Sequence, residues 1–298
     1  MARPPGKKKI KHSGYVALIG RTNVGKSTFL NAVMEAKIAI VSDKPQTTRK
    51  RILGIKTTPS GQIIFFDSPG IHQPYFKLNE RMMQDVHHSL FDADLILYFI
   101  DIDTRTEDEF ALSLFREIDK NVFLVINKID KYSKGKILER ISFFKDIYPW
   151  AEVVPISALK GDNLELIEDL IFKYLPENDY FFPVEETTQQ SEIFYIAELI
   201  REKLLDHTRD ELPFTTMVKI EEMTQKEKVL FIRAEIYVER PSQRRIIIGK
   251  HGRMIKSIGE QARAEIEEHV EKQVFLDLFI KVAPNWRDSH FVLDDLNQ

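Results

Sequence analysis

A lysine and a serine placed behind paired glycines can grip a polyphosphate, and this chain carries them in Gly20-Arg21-Thr22-Asn23-Val24-Gly25-Lys26-Ser27, followed by Thr28. The spacing GxxxxGKS falls between the apolar run Tyr15 to Ile19 and a helical pattern from Thr28 to Val33, the setting in which it means a phosphate-binding loop. Glycines at both ends let successive N–H groups converge on one point, and the helix that follows adds its positive end there. Lys26 is then expected to reach the β and γ phosphates, and the Ser27 hydroxyl to ligate the Mg²⁺ that bridges them. The plain alternative, a glycine-rich turn between strand and helix, is disfavoured by the flanking pattern.

Three further clusters extend this chemistry. In Asp67-Ser68-Pro69-Gly70 an acid at a strand's carboxyl end can hold the metal through a water, and Gly70 can offer its N–H to a terminal phosphate. Asn127-Lys128-Ile129-Asp130 selects the base. A carboxylate at Asp130 accepts from both N1–H and the 2-amino group of guanine, whereas adenine would leave it unpaired. Asn127 braces that loop and meets the base edge, and the Lys128 stem lies along the ring. In Ser157-Ala158-Leu159 a small residue lets a backbone N–H approach the guanine carbonyl oxygen.

Strands must present these loops at one edge. Ile52 to Thr57 and Gln62 to Phe66 read as strands joined by Pro59-Ser60-Gly61, and Leu95 to Ile100 and Val122 to Ile126 are continuous apolar runs of the kind covered on both faces by helices. Apolar strands alternating with helical patterns predict an α/β fold, a doubly wound and mostly parallel sheet with its ligand at the carboxyl edge. The chain has 298 residues, enough for two cores, and a formal net charge of −3, so any nucleic-acid site must be a local patch. It has no cysteine, which excludes disulfides and thiolate chemistry and suits a reducing compartment. No apolar run approaches the roughly 18 residues of a membrane span. Lys7, Lys8, Lys9 and Lys11 lack a following hydrophobic segment and read as a solvated basic tail, with weak contact to RNA or an anionic membrane surface as the alternative. His72, His87, His88 and His207 show no metal-ligand spacing.

Residues 15 to 175 resemble a small GTPase domain of the translation-factor type, with GRTNVGKS, QTTR, DSPG, NKID and ISA in order. The resemblance implies that Thr48 is a Mg²⁺ ligand beside Ser27 and Asp67, with Thr47 the alternative. It implies GTP hydrolysis to GDP, with Lys26, Thr48, Gly70 and Asn23 as the catalytic set. Ile71 stands where many GTPases place a glutamine, and an isoleucine cannot polarise water, so slow intrinsic turnover is expected. Asn23 resembles the residue that in a subgroup of these proteins holds potassium near the phosphates; the plain reading is a loop-shaping turn residue.

A boundary falls near residue 180, with a basic tail over 1–14, the GTPase domain over 15–180, a polar linker over 181–190 and a second domain over 191–298. Ser191 to Asp206 has a helical period, and Phe214 to Ile220 and Val229 to Val238 alternate like strands. Between Glu239 and Glu260 stand six Lys or Arg and no acid, among them Arg244, Arg245, Lys250, Arg253 and Lys256. Gly249-Lys250-His251-Gly252 lies between two helical segments, where a tight loop lets a sugar–phosphate backbone approach, with Ile248 beside it. The order helix, strand, strand, helix, GxxG, helix, strand resembles a smaller α+β type II KH domain over 191 to 282; an ordinary glycine turn is the alternative. Trp286 and Phe291 are candidate stacking platforms for single-stranded bases, the alternative being packing of the C-terminal segment.

A GTPase domain followed by a type II KH domain is similar to the Era family, and Gly70-Ile71-His72, Lys77 to Met82 and Ile246 to Lys250 look like its signatures. That resemblance implies a monomeric cytoplasmic factor for small ribosomal subunit assembly that binds the 3′ region of 16S rRNA under control of GTP, with peripheral contact at the inner membrane. Two readings of other classes are an RNA-binding module with a purely structural nucleotide domain, against which Ser27, Thr48 and Asp67 stand, and an ATP-dependent small-molecule kinase, against which Asn127 to Asp130 stands.

Overall fold

The computed structural model describes residues 10–289 and Leu293. Lys7, Lys8, Lys9 and Phe291 lie outside the described residues. The chain divides into two compact units, and the division is not a single cut. The first comprises residues up to 39, 48–72 and 82–189; the second comprises 40–47, 73–81 and the chain from 190 onward.

The first unit is built on β1 (His12–Gly20), α1 (Lys26–Met34), β2 (Ile52–Thr58), β3 (Gly61–Asp67), α2 (Lys77–Asp92, of which 82–92 belong to this unit), β4 (Leu95–Asp101), α3 (Glu109–Arg116), β5 (Asn121–Asn127), α4 (Lys134–Phe144), β6 (Glu152–Pro155) and α5 (Leu164–Tyr174). Its sheet has the order β2-β3-β1-β4-β5-β6, with β2 antiparallel and the rest parallel, which is the doubly wound, mostly parallel sheet expected. Alternating side chains divide the core. Ile96, Tyr98 and Ile100 pack with Val86 and Leu90 of α2 and Leu112 and Phe115 of α3. On the opposite face Phe29 of α1 meets Phe65 and Phe99 with ring centroids 5.9 and 5.1 Å apart. Burial on both faces is why β4 and β5 read as unbroken apolar runs.

The polar segment after α5 is irregular but held. Ile55 N–H donates to Thr187 O at 2.8 Å and Thr188 Oγ1 to Leu53 O at 2.7 Å, so this strap covers the open edge of β2. The fully buried Gln62 clamps it, accepting from the N–H groups of Phe181 and Phe182 at 2.9 and 3.0 Å and donating to Phe182 O at 3.1 Å.

The second unit contains α6 (Glu192–His207), α7 (Leu212–Thr215), β7 (Met217–Gln225), β8 (Leu230–Val238), α8 (Pro241–Ile248), α9 (Arg253–Val270) and β9 (Val274–Val282). Its sheet has the order β7-β8-β9, with β7 antiparallel and β9 parallel to β8. Ile196, Leu199 and Ile200 of α6 and Ile258, Ala262 and Ile266 of α9 share a core with Ile232, Ala234 and Ile236. The element order is that of the expected α+β domain. One expected boundary moves: Phe214 sits in the helical turn α7, which Pro213 opens, so β7 starts at Met217 and runs on to Gln225. Among the described residues no helix is long and apolar enough to cross a membrane.

Candidate nucleotide and nucleic-acid sites

In the first unit Gly20, Asp67, Asp101 and Asn127 end their strands at one edge of the sheet, and the loops that follow converge. The phosphate-binding loop has backbone that only glycine adopts easily. Gly25 has φ +96°, and a Cβ there would lie 2.2 Å from Asn127 Nδ2. Asn23 also has positive φ, 62°. Lys26 is buried, and its ammonium donates to Gly20 O at 3.1 Å and Arg21 O at 3.0 Å. Burial pushes it down to about 8 while the Asp67 charge opposes that shift, so it still carries its proton at neutral pH.

Behind it three oxygens meet. Ser27 Oγ donates to Asp67 Oδ2 at 2.5 Å and lies 2.9 Å from Thr48 Oγ1, which itself donates to Asp67 Oδ2 at 3.4 Å. Asp67 to Gly70 are buried, and burial raises the Asp67 carboxyl, with Lys26 and the two hydroxyls opposing. Its Oδ1 is buried without a hydrogen-bond partner among the described residues, as is Ser68 Oγ. Two hydroxyls and a carboxylate with an orphaned oxygen form a hard, oxygen-only donor set, which fits Mg²⁺. Thr47, the alternative to Thr48, points its Oγ1 instead to Lys44 O at 2.6 Å. Gly70 approaches Thr22 so closely that a Cβ would lie 2.7 Å from the Thr22 N. Ile71 donates its N–H to Gly20 O at 3.0 Å and is only 1% exposed, in the core.

Asn127 ties the base-selecting end to the phosphate end. Its Nδ2 donates to Val24 O at 2.8 Å, and its Oδ1 accepts from the N–H groups of Lys128 and Ala158 at 2.7 and 3.0 Å. Lys128 Nζ reaches Asn23 O at 2.6 Å and Asp101 Oδ2 at 3.2 Å. Ser157 Oγ donates to Asp130 Oδ1 at 2.6 Å, which aims the exposed carboxylate, and Leu159 stands 70% exposed on the same loop. Hydrogen bonds joined by the short backbone stretches Val24–Ser27 and Ser157–Ala158 thus tie Lys26 and Ser27 to Asp130. Sequence reasoning missed Asp101 and Asp108. The latter holds Arg21 through two bonds of 2.5 and 3.0 Å and caps α3, and no motif marks either acid.

In the second unit the GxxG loop links α8 to α9. Gly249 has φ +71°, and a Cβ there would lie 2.8 Å from that of Met254; His251 and Gly252 also have positive φ, at 54° and 73°. Arg244, Arg245, Lys250, His251, Arg253 and Lys256 are exposed, and Ile248 is half-buried beside them, so the expected basic residues gather around one turn. Gln243 fixes the start of α8 by accepting from the Glu239 and Arg240 N–H groups at 2.8 and 2.9 Å. The stacking role expected of Trp286 is corrected. It is fully buried and its Nε1–H donates to Thr215 O at 2.9 Å, so its ring has no face to offer a base.

The family model described as 50S ribosome-binding GTPase matches residues 15–128, and that described as KH domain matches 211–287. Curated relatives named GTPase Era include one from Geobacter sp. (strain M21), 44% identical over 286 residues, covering 95% of this chain and 96% of the relative. Another, from Caldanaerobacter subterraneus subsp. tengcongensis, is 46% identical over 288 residues, covering 95% and 97%. Among solved structures, an Aquifex aeolicus Era variant bound to GDP and aluminium fluoride is 40% identical with a TM-score of 0.92, covering 96% of this chain and 98% of that one. Era in complex with MgGDPNP and nucleotides 1506–1542 of 16S ribosomal RNA is 39% identical with a TM-score of 0.93 and the same coverage.

Proposed function

The chain belongs to the Era family of GTPases, and on that footing we propose that it is a GTP-controlled grip on the 3′ region of 16S rRNA that assists small ribosomal subunit assembly in the cytoplasm. The observation that carries this reading is the bond chain from Ser27, Thr48 and Asp67 through the phosphate loop and Asn127 to Asp130, in one chain with an exposed basic GxxG loop. It matches a guanine nucleotide at both ends.

Residue roles follow. Asp130 pairs with the guanine edge, the small Ala158 side chain lets a backbone N–H of the Ser157–Leu159 turn approach its carbonyl oxygen, and Lys128 lies along the ring. The backbone N–H groups of Gly20 to Thr28 and the Lys26 ammonium bind the phosphates. Ser27, Thr48 and, through water, Asp67 would hold Mg²⁺, which when bound neutralises charge on the phosphates. Gly70 donates its N–H to the terminal phosphate. Water attacks the γ-phosphorus, the bond to the β–γ bridging oxygen breaks, and GDP and phosphate leave. Because Ile71 is turned into the core, no side chain at that position orients the water, and slow turnover follows. Asn23 would hold potassium, whose charge replaces an arginine finger. Hydrolysis should then run faster in potassium than in sodium, and equal rates would remove this role.

In the second unit the GxxG backbone and Lys250, His251, Arg244, Arg245, Arg253 and Lys256 bind the RNA backbone, with Ile248 against a base. If the two activities are linked, RNA must change nucleotide affinity by the same factor that nucleotide changes RNA affinity. Titrating a GTP analogue with and without a single-stranded 16S 3′ oligonucleotide should give different affinities, and identical values would argue against equilibrium coupling.

A further inference from the structure

A cavity of about 380 Å³ opens at the start of α8, at the low end of the range that small-ligand pockets occupy. Every residue that lines it belongs to the second unit. Phe76 and Phe214 supply apolar walls, and both are half-buried. Phe76 is held in place within that unit. The Arg287 guanidinium lies 4.0 Å from its ring centroid and is itself locked on Glu239 through bonds of 3.0 and 2.8 Å, while the Lys77 N–H donates to Asp288 Oδ1 at 3.1 Å.

Gln243 is the unusual member of the lining. It is only 3% exposed, and its Oε1 accepts both the Glu239 and the Arg240 N–H. Two N–H donors can be met only by the oxygen, so the amide has one orientation and its Nε2 carries two hydrogens on the other side. Those hydrogens have no acceptor among the described residues, and Nε2 is not enclosed by them. A buried side chain with idle donors at a cavity favours an occupant that brings acceptors. Glu211 and Arg240 line the same cavity, both exposed, and neither makes an ion pair among the described residues.

These groups together select the occupant. A phosphate ion would meet Arg240 but also the Glu211 carboxylate and two rings, and an alkyl chain would leave the Gln243 donors idle. A nucleobase suits all of them: its flat body packs against the rings, its edge accepts from Nε2–H and donates to Glu211, and the phosphate attached to it meets Arg240. The position along α8 says where that base comes from. The helix is about 12 Å long, with the cavity at its start, the GxxG loop at its end, and the exposed Arg244 four residues after Arg240. A single strand gripped at the loop and passing Arg244 arrives at the cavity.

We propose that the cavity at the start of α8 is a subsite for one unpaired base of the bound RNA, beyond the GxxG grip, with Gln243 donating to the edge of that base. This rests on the reading of the second unit as an RNA-binding domain.

The test uses the full chain and the single-stranded 16S 3′ oligonucleotide, with one abasic site moved along it position by position and binding read by fluorescence anisotropy. Gln243→Glu keeps an oxygen for the two N–H groups that start α8 and replaces the donors by an acceptor. It should weaken binding of the intact oligonucleotide by about tenfold, the scale of one lost base contact. One abasic position should weaken binding to the parent by a similar factor and leave Gln243→Glu no weaker than it already is, a non-additivity that a general loss of charge attraction does not produce. Phe214→Leu removes a ring and leaves Gln243 untouched; it should show the same non-additivity at the same position, and it carries the test if Gln243→Glu does not fold. If every abasic position adds its full effect to both variants, the subsite is overturned. Nucleoside 5′-monophosphates probe the other source of a base. If one of them binds the parent and not Gln243→Glu while the oligonucleotide binds both alike, the cavity takes a free nucleotide and its place on the RNA path is overturned. The domain reading is tested apart, by replacing Lys250 and His251 together with glutamate. If that variant binds the intact oligonucleotide as the parent does, the GxxG grip falls; if it loses binding while the cavity variants stay additive, only the subsite falls.

Discussion

Two glycine-bounded turns of this chain, both assigned to phosphate in the proposed function, are built in opposite ways. The loop Gly20 to Ser27 is braced from behind, with Asn127 against Gly25, Lys128 on Asn23 O, Asp108 on Arg21 and Lys26 buried. The loop Gly249 to Gly252 stands in solvent, its Lys250 and His251 are exposed, and Arg244, Arg245, Lys250 and Arg253 make no ion pair among the described residues. The first arrangement suits one small ligand whose charges must be met at fixed points in a low-dielectric pocket. The second suits a polymer whose backbone charge is spread along a line, where affinity comes from displaced counterions and little preorganisation is needed.

The largest way to break this contrast is Gly25→Ala. The new methyl would strike Asn127 at 2.2 Å in a φ that alanine resists, so nucleotide binding should fall by more than about a hundredfold in a fluorescent-nucleotide titration. Retained affinity would mean the brace is not needed. Asp130→Asn should come next, lowering guanine affinity by roughly a hundredfold or more and raising xanthine affinity, because an amide can donate to the 2-oxo group; competition binding with both triphosphates reads it. In the exposed loop, replacing Lys250 and His251 together by glutamate should weaken RNA binding about tenfold or more and flatten its salt dependence, while hydrolysis without RNA stays near the parent rate. The smallest effect belongs to Gly252→Ala. Nothing lies within 4 Å of a Cβ there, so only the φ of +73° resists, and thermal unfolding should show a loss of about 1 kcal/mol.

The strap over β2 carries a related lesson. Its polar sequence reads as a spacer, yet Gln62 and the edge of β2 hold it through five named bonds. An unpaired strand edge is a site that backbone will fill, whatever side chains the filling segment bears.

Composition and local spacing alone determined the glycine turns, the Lys26-Ser27 pair and the strand-end acid Asp67, since backbone freedom and 2- or 3.6-residue periods are properties of neighbours in the chain. They also determined the order of the longer elements in the second unit, though not the helical turn α7, and the clustering of its basic residues. Only the fold decided what depends on partners far apart in sequence: that Thr48 and not Thr47 turns to Ser27, that Asp108 meets Arg21 across 87 residues, and that Trp286 is buried on Thr215. A tryptophan has both an apolar ring and a donor, so either burial or stacking satisfies it locally, and the choice falls to whichever neighbours the chain path brings to it. The same is true of Arg201, whose helical surroundings mark it as one more surface charge until Glu198 and the Thr47 carbonyl close around it.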